Sequence, residues 1–87
     1  MDRLHLTDLA ALLRDAAGGD EGAPLDEAAQ DTLFLDLGYD SLALLQVTGV
    51  VERDYDVTLD EEALDEAQTP RAYLDLVNGA LAARAAA

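Results

Sequence analysis

The sequence predicts a small all-α protein, a four-helix bundle with a long loop between the first and second helices. The chain has 87 residues, enough for one domain but not for a deep internal active site. Hydrophobic residues make up 51% of it and aromatic residues only 5%, so Leu, Val and Ala must form the core, a composition that favours helices over a β-sandwich. Apolar residues also recur at helical spacing in three segments, and more weakly in a fourth.

The first predicted helix begins near Thr7 and ends at the Gly18-Gly19 pair. Thr7 is the expected N-cap, and Asp8 suits the first turn because a negative charge is favourable there. The apolar residues follow the i, i+3, i+4, i+7 spacing of an amphipathic helix: Leu9, Leu12, Leu13 and Ala16.

A long acidic connection runs from Gly18 to Gly38. A loop of this length in a small domain is normally functional or packed against the core. We expect four apolar side chains to hold it in place: Leu25, Leu33, Phe34 and Leu37.

The second predicted helix runs from Asp40 to Tyr55, with either Asp40 or Ser41 as its N-cap. At about 100° per residue, four apolar residues fall within one arc of about 80° and predict the buried stripe: Leu44, Val47, Val51 and Tyr55. Ser41 lies off this stripe, on the outer half of the helix with Leu42, Leu45, Gly49, Glu52 and Arg53. Two leucines on the solvent side indicate that something docks there.

The third helix is predicted at residues 60–67 as a short, acidic and weakly amphipathic element that frays easily. The fourth begins at Thr69-Pro70, an N-cap followed by Pro at the first helical position. Its apolar stripe is Tyr73, Leu74, Val77, Ala80 and Leu81. We expect a single domain over residues 1–87, loosely ordered at 1–6 and 84–87.

The charge of the chain excludes several classes of partner. Nineteen acidic residues against five basic ones give a net charge of −14, which repels nucleic acid and anionic membrane surfaces. The same negative charge attracts basic patches on other proteins. We therefore expect a monomer that meets protein partners and binds neither nucleic acid nor membrane.

Other features argue against catalysis and against a resident metal. Cysteine is absent, and the single histidine, His5, is far in sequence from Ser41 with no triad signature around it. The acidic stretch from Asp54 invites a calcium-loop interpretation, but Leu59 and Asp65 occupy the places of the required glycine and glutamate. No segment has the length of a membrane span and the N-terminus lacks the order of a signal peptide, so we expect a cytoplasmic protein.

Ser41 is the candidate functional residue. An exposed hydroxyl at the start of a helix is usually an ordinary cap. Capping does not explain the exposed leucines Leu42 and Leu45 beside it. Residues 37–42, in the order Leu-Gly-Tyr-Asp-Ser-Leu, resemble the Asp-Ser-Leu attachment motif of acyl carrier proteins, and the resemblance extends through the loop, Tyr55 and the fourth helix.

This resemblance implies a covalent cofactor, 4'-phosphopantetheine. A phosphopantetheinyl transferase using coenzyme A and magnesium would attach it to Ser41, and its thiol would carry the acyl chain. Asp40 would help to orient the transferase's metal, although capping alone accounts for that residue. The protein would be a cosubstrate with no catalytic residue of its own, and the second helix would be the recognition surface for partner enzymes. The implied contact residues are Asp36, Leu42, Leu45, Thr48, Gly49 and Glu52.

Within the family, residues 38–44 are most similar to the discrete carriers of type II polyketide synthases, which serve antibiotic biosynthesis. The implied partners are a ketosynthase/chain-length factor, a malonyl transferase and ketoreductase-type tailoring enzymes. The alternatives are a fatty-acid synthase carrier and an acidic helical interaction domain with no covalent cargo. From composition we expect the aliphatic core to shelter saturated chains better than polyketone chains, whose carbonyls must lose water.

Overall fold

The computed structural model describes residues 3–16 and 27–86. They form four α-helices and one 3-10 turn, so the predicted all-α fold with a short third helix is confirmed. The elements are α1 (Leu6–Ala16), the 3-10 turn (Glu27–Ala29), α2 (Ser41–Tyr55), α3 (Glu61–Glu66) and α4 (Pro70–Ala86).

Helix α1 begins one residue before the predicted N-cap. Thr7 lies inside the helix, so its assignment as N-cap is wrong. The Asp8 carboxylate instead accepts a hydrogen bond from the His5 N–H at 3.0 Å, the reciprocal half of a capping box. The predicted stop at Gly18-Gly19 lies outside the described residues.

The core lies between α1, α2 and α4. Its most deeply buried helical residues are Leu9, Leu13, Val47, Val51, Tyr73, Val77 and Leu81. Helix α1 packs against both α2 and α4, whereas α3 contacts α4 and buries none of its own residues fully. Of the stripe predicted for α2, Val47 and Val51 are buried, while Leu44 and Tyr55 are half-buried against the core.

The segment before α2 is held by fewer of the predicted residues than expected. Phe34 and Leu37 are buried, and the Phe34 ring meets Tyr73 edge to face with centroids 6.0 Å apart. Leu33 is 43% exposed, so its predicted role in holding the loop is wrong, and Tyr39 is buried instead. Leu25 lies outside the described residues.

An ion pair also fixes this segment on α4. Arg71 donates two hydrogen bonds to the Asp31 carboxylate, at 2.7 and 3.2 Å. The hydrogen bond and the positive charge of Arg71 lower the pKa of Asp31. Both side chains are exposed, so the pair contributes little to stability and serves mainly to position the loop.

Two residues near the ends of the described chain make tertiary contacts with other elements. Leu4 is buried, and Asn78 of α4 both accepts from its N–H at 2.7 Å and donates to its carbonyl at 2.9 Å. Arg84 lies within α4 and pairs with Asp56 at 2.9 Å. Loose order at residues 1–6 and 84–87 stays an expectation, and positions 1, 2 and 87 lie outside the described residues.

Candidate functional site

Helix α2 begins at Ser41, with Asp40 as its N-cap. The Asp40 backbone is extended, and its Oδ1 accepts the Ala43 N–H at 3.0 Å. The Asp40 carbonyl accepts the first helical hydrogen bond, from the Leu44 N–H at 3.2 Å. Of the two predicted N-caps, the structure therefore selects Asp40, which leaves Ser41 as the first helical residue.

The turn before the helix presents Ser41 to solvent. Leu37 and Tyr39 are buried on either side of Gly38, whose φ of 96° is a conformation that strains any residue with a side chain. The two buried side chains fix the stretch of backbone that leads into Asp40. As a result Ser41 lies on the surface, at a position set by the core.

The start of α2 fits a phosphopantetheine group. Ser41 is exposed, and its hydroxyl forms no hydrogen bond within the part of the chain that the structure describes. The first N–H groups of a helix have no partner inside it and carry the positive end of the helix dipole, which favours a phosphodiester at this place. No other serine occurs in the sequence, a signal independent of the Asp-Ser-Leu motif.

Nothing beside Ser41 activates its hydroxyl. Asp40 is committed through Oδ1 to the helix cap, and His5 is in the segment before α1 with no hydrogen bond to Ser41. Over residues 3–16 and 27–86, no group of three or more His, Cys, Asp or Glu side chains could hold a metal ion. Among these residues, the Ser41 hydroxyl therefore has neither a base in hydrogen-bond contact nor a candidate metal site beside it.

Four of the six predicted contact residues are exposed. Leu42 and Leu45 are 61% and 69% exposed, and Gly49 is exposed with open space where a side chain would lie. Asp36 is also exposed, in the turn that precedes the helix. Of the predicted contact residues, Leu42, Leu45, Gly49 and Asp36 are thus exposed.

Thr48 does not belong to this surface. It is only 7% exposed, and its Oγ1 lies 2.8 Å from the Tyr73 hydroxyl of α4. At 100° per residue Thr48 lies about 40° from Leu44, at the border of the buried stripe. Tyr73 covers that border, so Thr48, one of the predicted contact residues, is buried.

Glu52 has a structural role that the sequence did not indicate. It is half-buried, and its Oε2 accepts the Leu59 N–H at 2.8 Å. This hydrogen bond ties the end of α2 to the link that leads into α3. Only part of the carboxylate is left to face a partner.

No helix in the described part of the chain is both long and apolar enough to cross a membrane.

Comparisons with known proteins place the chain in a family. A family model described as a phosphopantetheine attachment site matches residues 8–77. The oxytetracycline polyketide synthase acyl carrier protein of Streptomyces rimosus is 47% identical over 81 residues, which cover 93% of this chain and 85% of that protein.

Solved structures agree with the sequence match. The solution structure of the oxytetracycline acyl carrier protein has a TM-score of 0.83 at 45% identity and covers 97% of this chain and 88% of that one. The actinorhodin holo acyl carrier protein of Streptomyces coelicolor has a TM-score of 0.81 at 39% identity and covers 94% and 95%. The chain therefore belongs to the acyl carrier proteins of type II aromatic polyketide synthases, non-catalytic proteins that carry acyl intermediates on phosphopantetheine.

Proposed function

We propose that Ser41 is the residue of this acyl carrier protein that bears the phosphopantetheine arm. The observation that carries the proposal is the position of Ser41 as the exposed first residue of α2. Its status as the single serine of the sequence supports the same assignment. Asp40 contributes by fixing the start of the helix, and with it the place of the hydroxyl.

The attachment step needs a second enzyme. The Ser41 Oγ forms a bond to the phosphorus next to pantetheine, and the serine proton passes to a base of the transferase. The pyrophosphate bond of coenzyme A breaks, and adenosine 3',5'-bisphosphate leaves with the electron pair of that bond. The chain supplies an accessible hydroxyl and a helix N-terminus that favours the resulting phosphodiester. Asp40 is also exposed, and we propose that its charge helps to orient the transferase's magnesium ion.

Intact mass measurement tests the attachment. After incubation with coenzyme A, magnesium and a broad-specificity phosphopantetheinyl transferase, we expect the mass to increase by one phosphopantetheine. Ser41→Ala should abolish the increase completely, because the acceptor oxygen is gone. Thr58→Ala, which removes an exposed hydroxyl elsewhere, is the matched control and should be modified normally. An unmodified native protein, or a modified Ser41→Ala variant, would contradict the proposal.

We also propose that the exposed face of α2 is the docking surface for enzymes of the synthase. Leu42 and Leu45 supply apolar contact, and Asp36 with the outer part of Glu52 supplies negative charge for basic patches. The expected partners are the transferase, the ketosynthase/chain-length factor, the malonyl transferase and the ketoreductase-type enzymes. Thr48 is excluded from the surface by its burial.

Alanine substitution at matched leucines tests the docking surface. Leu45→Ala should lower kcat/KM for modification and for malonyl loading by about fivefold or more, because we place Leu45 at the centre of the docking surface, where loss of an anchoring side chain costs over about 1 kcal/mol. Leu35 is 73% exposed but lies before α2, so Leu35→Ala is the control and should stay within about twofold of the native protein. Equal effects of the two substitutions would show that docking is not centred on α2.

A further inference from the structure

The N-terminal part of α2 carries no charge, although the protein is strongly acidic. Charged residues make up 28% of the chain and its net charge is −14, yet residues 41–51 contain none. An uncharged stretch is expected in a helix that is buried on every side. Here Leu42, Leu45, Gln46 and Gly49 are exposed. These four residues, the neutral face of α2, therefore meet solvent without the charges found over the rest of the protein.

No neighbour within the described residues accounts for a glycine at position 49. A glycine inside a helix is less stable than an alanine, because it loses more backbone freedom on folding. It is favoured where another element approaches too closely for a side chain, or where the backbone is left-handed. Gly49 lies within regular α2, and among the described residues a Cβ at this position would have nothing within 4 Å. The stability lost at Gly49 is thus not offset by any close packing inside the molecule.

The uncovered backbone at Gly49 forms a depression beside the two exposed leucines. On a helical wheel Gly49 lies about 40° from Leu45 and about 20° from Leu42. Side chains of a helix lean toward its N-terminus, so both leucines project away from Gly49, toward the start of α2. Arg53, one turn beyond the depression, borders its other end and is paired with Asp54 at 3.0 Å. The neutral face thus has an apolar ridge next to a depression that a side chain could fill.

The charges around the depression indicate what kind of group fits it. Exposed carboxylates lie before the neutral face, at Asp36 and Asp40, while the Arg53–Asp54 pair beyond it is neutral as a unit. A charged group placed over Gly49 would lose water and gain no opposite charge from the neutral face, which is unfavourable. An apolar group has no such cost and buries part of the ridge. The face therefore fits a partner surface with an apolar side chain at the depression and basic residues toward the start of α2.

We propose that Gly49 determines which enzymes dock on α2, by admitting an apolar side chain of the partner against the helix backbone. The inference rests on the proposed attachment at Ser41 and on docking at α2, and it names the chemistry of the partner's contact. Gly49 lies about 12 Å from Ser41 along the helix axis, so an enzyme that acts on the arm can cover both. Leu42 and Leu45 give such an enzyme apolar area, and Gly49 allows it to come close. A side chain at position 49 would hold the partner away from both leucines.

Two exposed helical glycines allow a matched test. Gly79 of α4 is also exposed, and among the described residues a Cβ there would likewise have nothing within 4 Å. Leucine has the higher helix propensity, so Gly49→Leu and Gly79→Leu should both raise the midpoint of urea unfolding. Only Gly49→Leu should impair docking.

The kinetics of malonyl loading measure docking. The holo protein receives malonyl from malonyl-coenzyme A through the malonyl transferase of a type II synthase, and the rate without enzyme is subtracted. Gly49→Leu should raise KM about tenfold and leave kcat within about twofold of the native value, because the new side chain blocks docking and leaves the arm untouched. Gly79→Leu should leave both constants within about twofold. Gly49→Ala adds a single carbon and should raise KM by less than Gly49→Leu.

Two variants that differ in charge separate shape from electrostatics. Gly49→Gln and Gly49→Glu introduce side chains of nearly equal volume, and both should raise KM, with Gly49→Glu no better than Gly49→Gln. The proposal is overturned if Gly49→Leu behaves like Gly79→Leu, or if Gly49→Glu lowers KM below that of the native protein, which would place a basic patch over Gly49. Failure of the underlying proposals appears separately: as a mass that shows no attachment at Ser41, or as a Leu45→Ala variant with unchanged kcat/KM.

Discussion

Helices α2 and α3 begin in the same way but differ in length and in burial. Each has an aspartate N-cap whose carboxylate accepts the N–H three residues on, Asp40 from Ala43 at 3.0 Å and Asp60 from Ala63 at 3.1 Å. Yet α2 runs for 15 residues with four buried, whereas α3 runs for six with none buried. A cap thus determines where a helix begins, while burial of a face determines how stable it is.

This difference suits the two helices to different roles. Helix α2 packs against α1 and is bonded to α4 through Thr48 and Tyr73, so the proposed attachment residue Ser41 lies at the start of a well-held element. Helix α3 contacts α4 and packs only half-buried side chains such as Leu64 against the core, and a 2.8 Å hydrogen bond from the Phe34 N–H to the Gln68 carbonyl holds the link that follows it. We expect α3 to open more readily than α2.

Truncating one apolar side chain in each helix should give the largest difference between α2 and α3 in the free energy of unfolding. Val51 of α2 is completely buried, so Val51→Ala should lower the free energy of unfolding by about 2 kcal/mol. Leu64 of α3 is half-buried, and Leu64→Ala should cost about 1 kcal/mol even though it removes more atoms. Urea unfolding followed by circular dichroism measures both values. A larger cost at Leu64 would mean that α3 is as integral to the core as α2.

Removing the N-cap should also destabilise the protein more at α2 than at α3, although both losses are smaller than those from the core truncations. Asp40→Ala should cost about 1 kcal/mol, whereas Asp60→Ala should cost only a few tenths, because loss of that cap opens α3 locally. Asp40→Asn keeps an oxygen acceptor and should leave the stability nearly unchanged. The rates of phosphopantetheine transfer to the Asp40 variants distinguish its role as a helix cap from the role of its negative charge. Full activity of Asp40→Asn would contradict a role for the Asp40 charge toward magnesium.

The hydroxyl pair that ties α2 to α4 should affect stability mainly at alkaline pH. Burial raises the pKa of Tyr73 above its ordinary value of 10.0, so the phenolate is less favourable in the folded than in the unfolded protein. This contribution to stability is complete below about pH 10 and is lost as the pH rises through the folded-state pKa. In urea unfolding across this range, Thr48→Val/Tyr73→Phe should lose less stability than the native protein. If the native protein and the double variant lost stability equally as the pH rose, Tyr73 would not be the buried group that titrates.

Much of the fold and the site was predictable from the order of residues. Local rules were sufficient for the four helices, the Asp40 cap, the Thr69-Pro70 start of α4 and the exposure of Leu42 and Leu45. The motif around Ser41 also predicted the carrier family, which the comparisons confirmed over the fatty-acid alternative and over a simple interaction domain. These features depend on neighbours within a turn or two of the chain, or on a short sequence motif.

Other features depend on contacts between residues distant in sequence, and there the predictions were wrong. A helical wheel assigns Thr48 an angle but cannot show that Tyr73, 25 residues later, covers it. Tyr39 is buried where Leu33 was expected, and Asn78 forms two hydrogen bonds with Leu4 across 74 residues, a contact that no local pattern predicts. Periodicity describes one helix at a time, whereas burial is a property of two surfaces that meet. The hydrogen bond between Thr48 and Tyr73 is visible only once α2 and α4 are packed together.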